Sequence, residues 1–257
     1  MRITILGSGT SSGVPRVGND WGACNSRDAR NRRRRASALV ETATTRILID
    51  TGPDLREQLL DAGVDRVDAV IWTHAHADHV HGIDDLRQLY HAMGGPVRCL
   101  ARAPTLGALI HRFDYAFAGR GPYPPIITGE ILPDRLVIGD IAIGVVDQPH
   151  AEINSAGLRF DGEDGAIGYA TDFNVMTDGM RGLYRGLDLL VVDCLRREPH
   201  PSHPTLAQAL GWIADLAPGR AALTHLDQSM DYAALLAELP ANVVPAHDGL
   251  RMTARQR

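Results

Sequence analysis

The sequence predicts an α/β fold, of the α+β kind, in which two mixed β-sheets pack together with helices outside. Three observations support this prediction. Short apolar runs alternate with amphipathic stretches along the 257 residues. In both halves, hairpin connections and helical crossovers are mixed, which disfavours a simple doubly wound sheet. The run DLLVVD at 188–193 is nearly continuously apolar, which is typical of a strand buried on both faces.

The first part of the chain is expected to begin with strands and to continue with helices between them. A helix is predicted at 55–62, where Gly63 ends it. A second is predicted at 79–93, because apolar residues recur there at steps of three and four before a Gly-Gly pair. Strands are predicted at 2–6, 37–41, 46–50 and 69–73.

The second part repeats this alternation. The segment from about 110 to 132 contains RGPYPPIITGE and is predicted to be a mobile or ligand-facing loop. No Pro/Ser-rich linker divides the chain, so one domain over 1–257 is expected. Strands are predicted at 97–101, 135–138, 141–147, 157–160, 165–170, 188–193, 220–224 and 243–246, and helices at 205–216 and near 231–238.

Composition excludes several classes of protein. The net charge of −5 argues against a surface that grips a large nucleic acid. No apolar run approaches the roughly 18 residues of a membrane-spanning helix, so no membrane partner is expected. The N-terminal apolar run passes into a Gly/Ser loop, unlike a signal peptide. Three distant cysteines imply no disulfide framework, which favours a reducing cytoplasm.

A dense group of metal-ligand residue types follows the predicted strand at 69–73. His74 and His76 are two residues apart at a strand end, so both side chains can close on one ion. Asp78 and His79 open the next helix and can reach a second ion. Imidazole and carboxylate together suit zinc, manganese or iron. This spacing predicts a metal site.

Three more residues of these types follow later strands. They are His150, Asp172 and His225. Because ligands converge where strand ends meet, we expect them to complete the site. Of the three, Asp172 has two carboxylate oxygens with which to bridge two cations.

These motifs resemble those of a known family. THAHADH at 73–79 looks like the HxHxDH signature of the metallo-β-lactamase superfamily, and ILIDTG at 47–52 resembles its early aspartate motif. The strings GTSSGVPRVG, CNSRDARNRRRRAS, VVDCL and HPTLAQAL resemble a narrower group, the cyclic-phosphate phosphodiesterases of the carbon–phosphorus lyase pathway and their relatives. The resemblance implies a four-layer αββα sandwich.

The resemblance also implies a division of the ligands between two divalent ions, zinc or manganese. His74, His76 and His150 would hold the first ion. Asp78, His79 and His225 would hold the second, with Asp172 bridging both and Asp50 orienting a ligand from behind. A water or hydroxide shared by the ions would be the nucleophile, and Asp78 would accept its hydrogen bond.

His203 precedes the helix predicted at 205–216, where the narrower group has a histidine that binds the substrate phosphate or protonates the leaving oxygen. An imidazole suits either role. The alternative is an ordinary surface histidine. His200 is a less favoured substitute for it, and His247 is expected either to line the pocket or to be structural.

The chain departs from the narrower group at one place. A CxCxxC string and a later histidine bind a structural zinc there, whereas this chain keeps only Cys24 and has Gln228 at the later position. A closed structural site needs four ligands, so we predict that this site is absent. The Arg32–Arg35 run is expected to be a solvated face or to bind a phosphate beside the site.

Together the residues and the resemblance predict a dinuclear phosphodiesterase that acts on a small cyclic phosphate or nucleotide-like diester. The alternatives are a tRNA 3′-processing nuclease, a thioester, lactone or β-lactam hydrolase, and a metal or nucleotide sensor without activity. The sequence is compatible with a homodimer but does not determine the oligomeric state.

Overall fold

Two mixed β-sheets face each other in the computed structural model, which describes residues 1–254. Each sheet has seven strands within that range. The strands are β1 (Arg2–Gly7), β2 (Ser37–Glu41), β3 (Arg46–Ile49), β4 (Ala69–Trp72), β5 (Val97–Ala101), β6 (Ile127–Ile131), β7 (Arg135–Ile138), β8 (Ile141–His150), β9 (Ile153–Gly162), β10 (Gly165–Ala170), β11 (Leu189–Asp193), β12 (Arg220–Thr224), β13 (Val243–Pro245) and β14 (Arg251–Thr253). The α-helices are α1 (Leu55–Ala62), α2 (Ala77–Val80), α3 (Leu86–Met93), α4 (Ala103–Arg112), α5 (Asp114–Ala118), α6 (Asp178–Tyr184), α7 (Leu206–Leu216) and α8 (Tyr232–Glu238).

The two sheets are built on the same plan. The first has the order β14-β1-β2-β3-β4-β5-β6, and the second has the order β13-β12-β11-β10-β9-β8-β7. In the first, antiparallel pairs join β1 to β3 and parallel pairs join β3 to β6. In the second, antiparallel pairs join β7 to β10 and parallel pairs join β10 to β13. The mixture of hairpins and crossovers confirms the predicted fold class.

Apolar side chains make three layers of contact. Between the sheets, side chains such as Ile47, Ile71 and Phe160 are fully buried. On the outer face of the first sheet, leucines of α1, α3 and α4 pack together with Trp72. On the outer face of the second sheet, α6, α7 and α8 cover β10, β11 and β12. The resulting order is helix, sheet, sheet, helix, as the resemblance implied.

The helix predicted at 79–93 is divided in the structure. The short helix α2 ends at Val80, a 3₁₀ turn spans Ile83–Asp85, and α3 follows. Gly82 lies between the first two, and a Cβ at this glycine would come within 2.1 Å of the Gly52 carbonyl oxygen. Its amide also donates to Thr51, at 2.8 Å. The divided helix therefore anchors the turn that carries Asp78 and His79 to the loop after β3.

The segment at 110–132 is more ordered than the sequence predicted. It contains the end of α4, helix α5 and strand β6, which pairs in parallel with β5. A Cβ at Gly129 would come within 3.0 Å of the Phe117 ring, so α5 packs closely on β6. Helices α4 and α6 and strand β14 were not predicted. No helix within residues 1–254 combines the length and the apolar character needed to cross a membrane.

Candidate metal centre

Polar side chains collect where strands of both sheets end. His74, His76, Asp78 and His79 follow β4, and His150 is the last residue of β8. Asp172 follows β10 and His225 follows β12, each within two residues of the strand end. Strand β11 lies between β10 and β12. All seven residues for which the sequence predicted a ligand role therefore lie close together.

Within residues 1–254, five groups of three side chains are close enough to share an ion, and two of them consist only of predicted ligands other than Asp172. His74, His76 and His150 each bring a ligand atom within 4.8 Å of the others. Asp78, His79 and His225 do the same. These are the two groups of ligands that the family resemblance implied.

Asp172 lies between the two groups. On the first side, its Oδ1 is 3.9 Å from His74 Nε2 and 3.8 Å from His150 Nε2. On the second side, Oδ1 is 3.4 Å from His225 Nε2 and Oδ2 is 3.3 Å from His79 Nε2. Its carboxylate therefore faces imidazoles of both groups.

The buried ring nitrogens test whether these residues fit metal ions. Within residues 1–254, the Nε2 atoms of His74, His79 and His225 are buried and have no hydrogen-bond partner. Leaving such an atom unpaired costs about 1–3 kcal/mol. Because several of them converge on one carboxylate, a cation is the natural partner for all of them, and the residues fit divalent ions.

The charges of the metal-free site differ between its two sides. Burial lowers the pKa of His74 well below its usual range, which keeps that imidazole neutral and able to bind a cation. Burial also opposes the charging of His79, but Asp172, Asp78 and Asp50 raise its pKa well above the usual range. Burial also lowers the pKa of His225, but the neighbouring carboxylates, Asp172 foremost, raise it more, and the pKa rises to about 9. The carboxylates on this side thus attract positive charge strongly.

Asp50 holds the histidine turn from behind. It is fully buried, and its Oδ2 lies 2.7 Å from His79 Nδ1. Its Oδ1 accepts from the Thr73 amide at 2.7 Å, and Oδ2 accepts from the Thr73 hydroxyl at 2.8 Å. The same hydroxyl lies 3.0 Å from His74 Nδ1. Asp50 thereby leaves Nε2 of His79 to face the centre, as a carboxylate behind a metal ligand does.

Three site residues have a backbone conformation that residues other than glycine rarely adopt. The φ angles are 61° at Asp50, 58° at Asp172 and 60° at His225. Such conformations cost of order 1–3 kcal/mol each and concentrate at functional sites. At each of these residues the backbone bends sharply, so the chain leaves the strand while the side chain points into the metal centre.

His203 lies beside the metal-ligand residues, and Asp193 orients it. His203 Nδ1 is 2.8 Å from Asp193 Oδ2, and its Nε2 is 3.9 Å from Asp172 Oδ1. Asp193 Oδ2 also accepts from the Asp172 amide at 2.9 Å. Asp193 was not predicted as a site residue, although it is the last residue of the buried strand β11. Ser202, whose carbonyl lies 3.0 Å from His150 Nδ1, was not predicted either.

Of the remaining candidates, His200 lies beside the cluster, with its ring centroid 5.2 Å from that of His203, and Arg35 lines a cavity together with Asp78. His247 lies apart. His247 contacts the Tyr232 ring, at 5.7 Å between centroids, and its Nδ1 lies 3.0 Å from the Asp248 carbonyl. The Arg32–Arg35 run does not form one solvated face, because Arg33 is 2% exposed. Cys24 is buried next to it, and burial raises the pKa of its thiol.

The chain is similar to several known proteins. The family model described as a beta-lactamase superfamily domain matches residues 45–226. The crystal structure of a new diphosphatase from the PhnP family has a TM-score of 0.89 and 36% sequence identity, covering 98% of this chain and 97% of that chain. A ribonuclease Z from Bradyrhizobium diazoefficiens is 29% identical over 274 residues, covering 80% of this chain and 88% of that protein.

A further relative is longer than this chain. An octanoyltransferase from Porphyromonas gingivalis is 35% identical over 258 residues, which are 97% of this chain and 51% of that protein. This chain therefore spans about half of that relative's length.

The matched residues, the fold and the histidine–aspartate cluster identify the family. The chain belongs to the metallo-β-lactamase superfamily. Within the superfamily it is similar to the PhnP family.

Proposed function

We propose that the protein is a dinuclear phosphodiesterase whose substrate is a small cyclic phosphate or a nucleotide-like diester. The observation that carries the proposal is the position of Asp172, within 4 Å of imidazoles of both histidine groups. The similarity of the chain to a diphosphatase and to a ribonuclease Z supports cleavage of a bond to phosphorus.

The residues divide between two sites. His74, His76 and His150 would hold one ion, and Asp78, His79 and His225 the other, with Asp172 shared. Zinc and manganese both suit this set of imidazole and carboxylate donors. When bound, two such ions lower the pKa of a water and neutralise charge on the attacked phosphoryl group.

Asp78 takes part in positioning the attacking water. It is half-buried, and its Oδ2 lies 3.3 Å from His79 Nε2 and 3.7 Å from His225 Nε2. In our proposal a carboxylate oxygen of Asp78 accepts a hydrogen bond from the attacking water and directs its lone pair at phosphorus.

His203 supplies the proton for the leaving group. Asp193 accepts from Nδ1 of His203, which keeps that nitrogen protonated and points Nε2 towards the centre. A protonated Nε2 then donates to the oxygen that leaves phosphorus. General acid catalysis of this kind contributes about 10²–10⁴-fold.

The test is His203→Ala, compared on two phosphodiesters at matched metal loading. A diester with an alkoxide leaving group should lose roughly a hundredfold or more in kcat/KM. A diester that releases nitrophenolate should lose much less, because that leaving group needs little protonation. Equal losses would indicate that His203 binds phosphate, and no loss on either substrate would contradict the proposal.

A tRNA 3′-processing nuclease is the second candidate, and the likeness to ribonuclease Z favours it. The net charge of −5 weighs against tight binding of a large polyanion. Turnover of precursor tRNA, compared with turnover of a small cyclic phosphate, separates the two. We place the enzyme in a reducing cytoplasm, which its three free, buried cysteines support.

A further inference from the structure

A cavity of about 740 Å³ opens beside His76, and the proposed chemistry gives it no role. Its walls come from the first turns of α4, the end of β6 and the hairpin that joins β8 to β9. The His76 ring is exposed on this side. Pockets for small ligands have volumes of about 300–1,000 Å³, so the space suits a substrate arm of some size.

Part of the cavity wall is apolar and exposed to solvent. Ile131 is 65% exposed and Ile153 is 40% exposed. Ala103, Pro104 and Ala108 of α4 line the same space. Covering exposed isoleucine gains about 25 cal/mol per Å² of apolar surface, so a flat apolar group would be stabilised against these side chains.

The charges in the cavity do not favour a second phosphate. Arg102 is paired with Asp134 at 2.7 Å and with Asp147 at 2.8 Å, and it also donates to the Leu132 carbonyl. Its charge is therefore already neutralised.

Two more charged side chains line the cavity, and their charges are opposite. Arg112 donates to the Ala75 carbonyl in the turn between the ligand histidines. Neither Arg112 nor Glu152 has an ion-pair partner within residues 1–254. The lining thus has more carboxylates than guanidinium groups, which disfavours an arm with negative charge.

Polar groups without charge complete the wall. Asn154 and Thr105 both line the cavity. The Asn154 amide has both donors and an acceptor, which suit the edge of a heterocycle or a sugar hydroxyl.

We propose that this cavity binds the uncharged, nucleoside-sized arm of the diester. The flat ring of that arm lies against Ile131 and Ile153, and its heteroatoms meet Asn154. The cavity's position beside His76 puts the phosphoryl group of such a substrate at the metal centre. This inference rests on the proposed phosphodiesterase function and specifies its substrate class as nucleoside diesters.

The first experiment compares two substrates with the same leaving group. Thymidine 5′-(p-nitrophenyl phosphate) has a nucleoside arm, and methyl p-nitrophenyl phosphate has a methyl group in its place. We expect the wild type to favour the nucleoside diester in kcat/KM by about tenfold or more. Ala108→Trp fills the cavity and should lower that ratio about tenfold. Ala237→Trp, on the exposed face of α8, is the matched control and should keep the ratio.

A second variant guards against misfolding of Ala108→Trp. Ile131→Asp changes an exposed side chain and adds a negative charge, and it should lower the same ratio. A ratio that stays unchanged in both variants would overturn the proposal, as would a wild type without preference for the nucleoside.

Binding separates this proposal from the function on which it rests. If wild type hydrolyses neither diester, the phosphodiesterase assignment fails. Thermal protection by thymidine 5′-monophosphate, present in wild type and lost in Ala108→Trp, would still support the nucleoside site. No protection of the wild type would overturn it.

Discussion

The metal centre and the surroundings of Arg33 are both buried polar regions, but they differ in how their polar atoms are satisfied. In the metal centre, Nε2 atoms of His74 and His79 are buried without a partner. The guanidinium of Arg33 donates to the carbonyls of Asp227, at 3.1 Å, and Met230, at 2.6 Å. It also contacts Asn31 Oδ1 at 3.3 Å and Cys24 Sγ at 3.7 Å.

This difference indicates that the metal centre serves ligand binding and that the Arg33 region stabilises the fold. Buried imidazole nitrogens and carboxylate oxygens that converge present lone pairs to one another, and a bound cation satisfies them together. The metal centre therefore keeps these unpaired atoms for binding. Within residues 1–254, Arg33 leaves only its Nε without a partner, whereas its two terminal nitrogens donate to carbonyls and hold two loops together. Arg33 connects the loop of Cys24 to the segment that contains Asp227 and Met230.

The largest effect is expected at the residue shared by both histidine groups. Asp172→Ala removes the carboxylate that both ions would share, so two metals and activity should be lost together. We expect kcat/KM to fall roughly a thousandfold. Elemental analysis of the same sample measures the loss of bound metal. Asp178→Ala, an exposed aspartate on α6, is the control. A variant with two bound metals and near-normal turnover would show that Asp172 does not bridge.

A smaller effect is expected at Asp193, which positions His203 through one hydrogen bond. Asp193→Asn keeps the shape of the side chain but no longer holds the proton on Nδ1. We expect kcat/KM to fall about 10–100-fold on an alkoxide leaving group and less on nitrophenolate. Two metals should remain bound. A loss that is the same for both leaving groups would mean that Asp193 serves only the fold.

The Arg33 region should respond in stability instead of activity. Arg33→Met leaves two buried carbonyls without their donor, which should lower the free energy of unfolding by about 3 kcal/mol. Arg34→Met breaks a surface pair with Asp61 and should cost under about 1 kcal/mol. Denaturant unfolding of both variants, with activity per folded and metal-loaded molecule, measures this. Lost activity in stable Arg33→Met would place Arg33 in the site.

The smallest effect is expected at Cys24. Two metals per chain should be found in the wild type, and Cys24→Ser should leave that number unchanged, because a closed structural site needs four ligands and Cys24 is a single thiol. Elemental analysis after gel filtration measures it. A third equivalent of metal in the wild type would mean that the loop binds an ion after all.

Local pattern was enough to predict most of the strands and to select the candidate ligands, whereas their division into two groups came from the family resemblance. The strand ends at 69–73 and 220–224 are visible in the sequence because buried strands are apolar and their last residues are not. The division of the helix at 79–93 was not predictable, because it depends on the contact of Gly82 with Gly52, which lies 30 residues earlier. The order within 110–132 likewise depends on the pairing of β6 with β5.

The sequence by itself determined the kind of chemistry: which donor atoms are present, that they follow buried strands, and that imidazole and carboxylate together bind divalent ions. Tertiary structure decided which of them act together. The hydrogen bond between His203 and Asp193 joins a loop to the strand end before it. The burial of Arg33 against residues near 230 and the cavity beside His76 join segments that are distant in the chain. Periodicity reports only which face of one element is buried, whereas these contacts arise when two sheets pack and their loops meet.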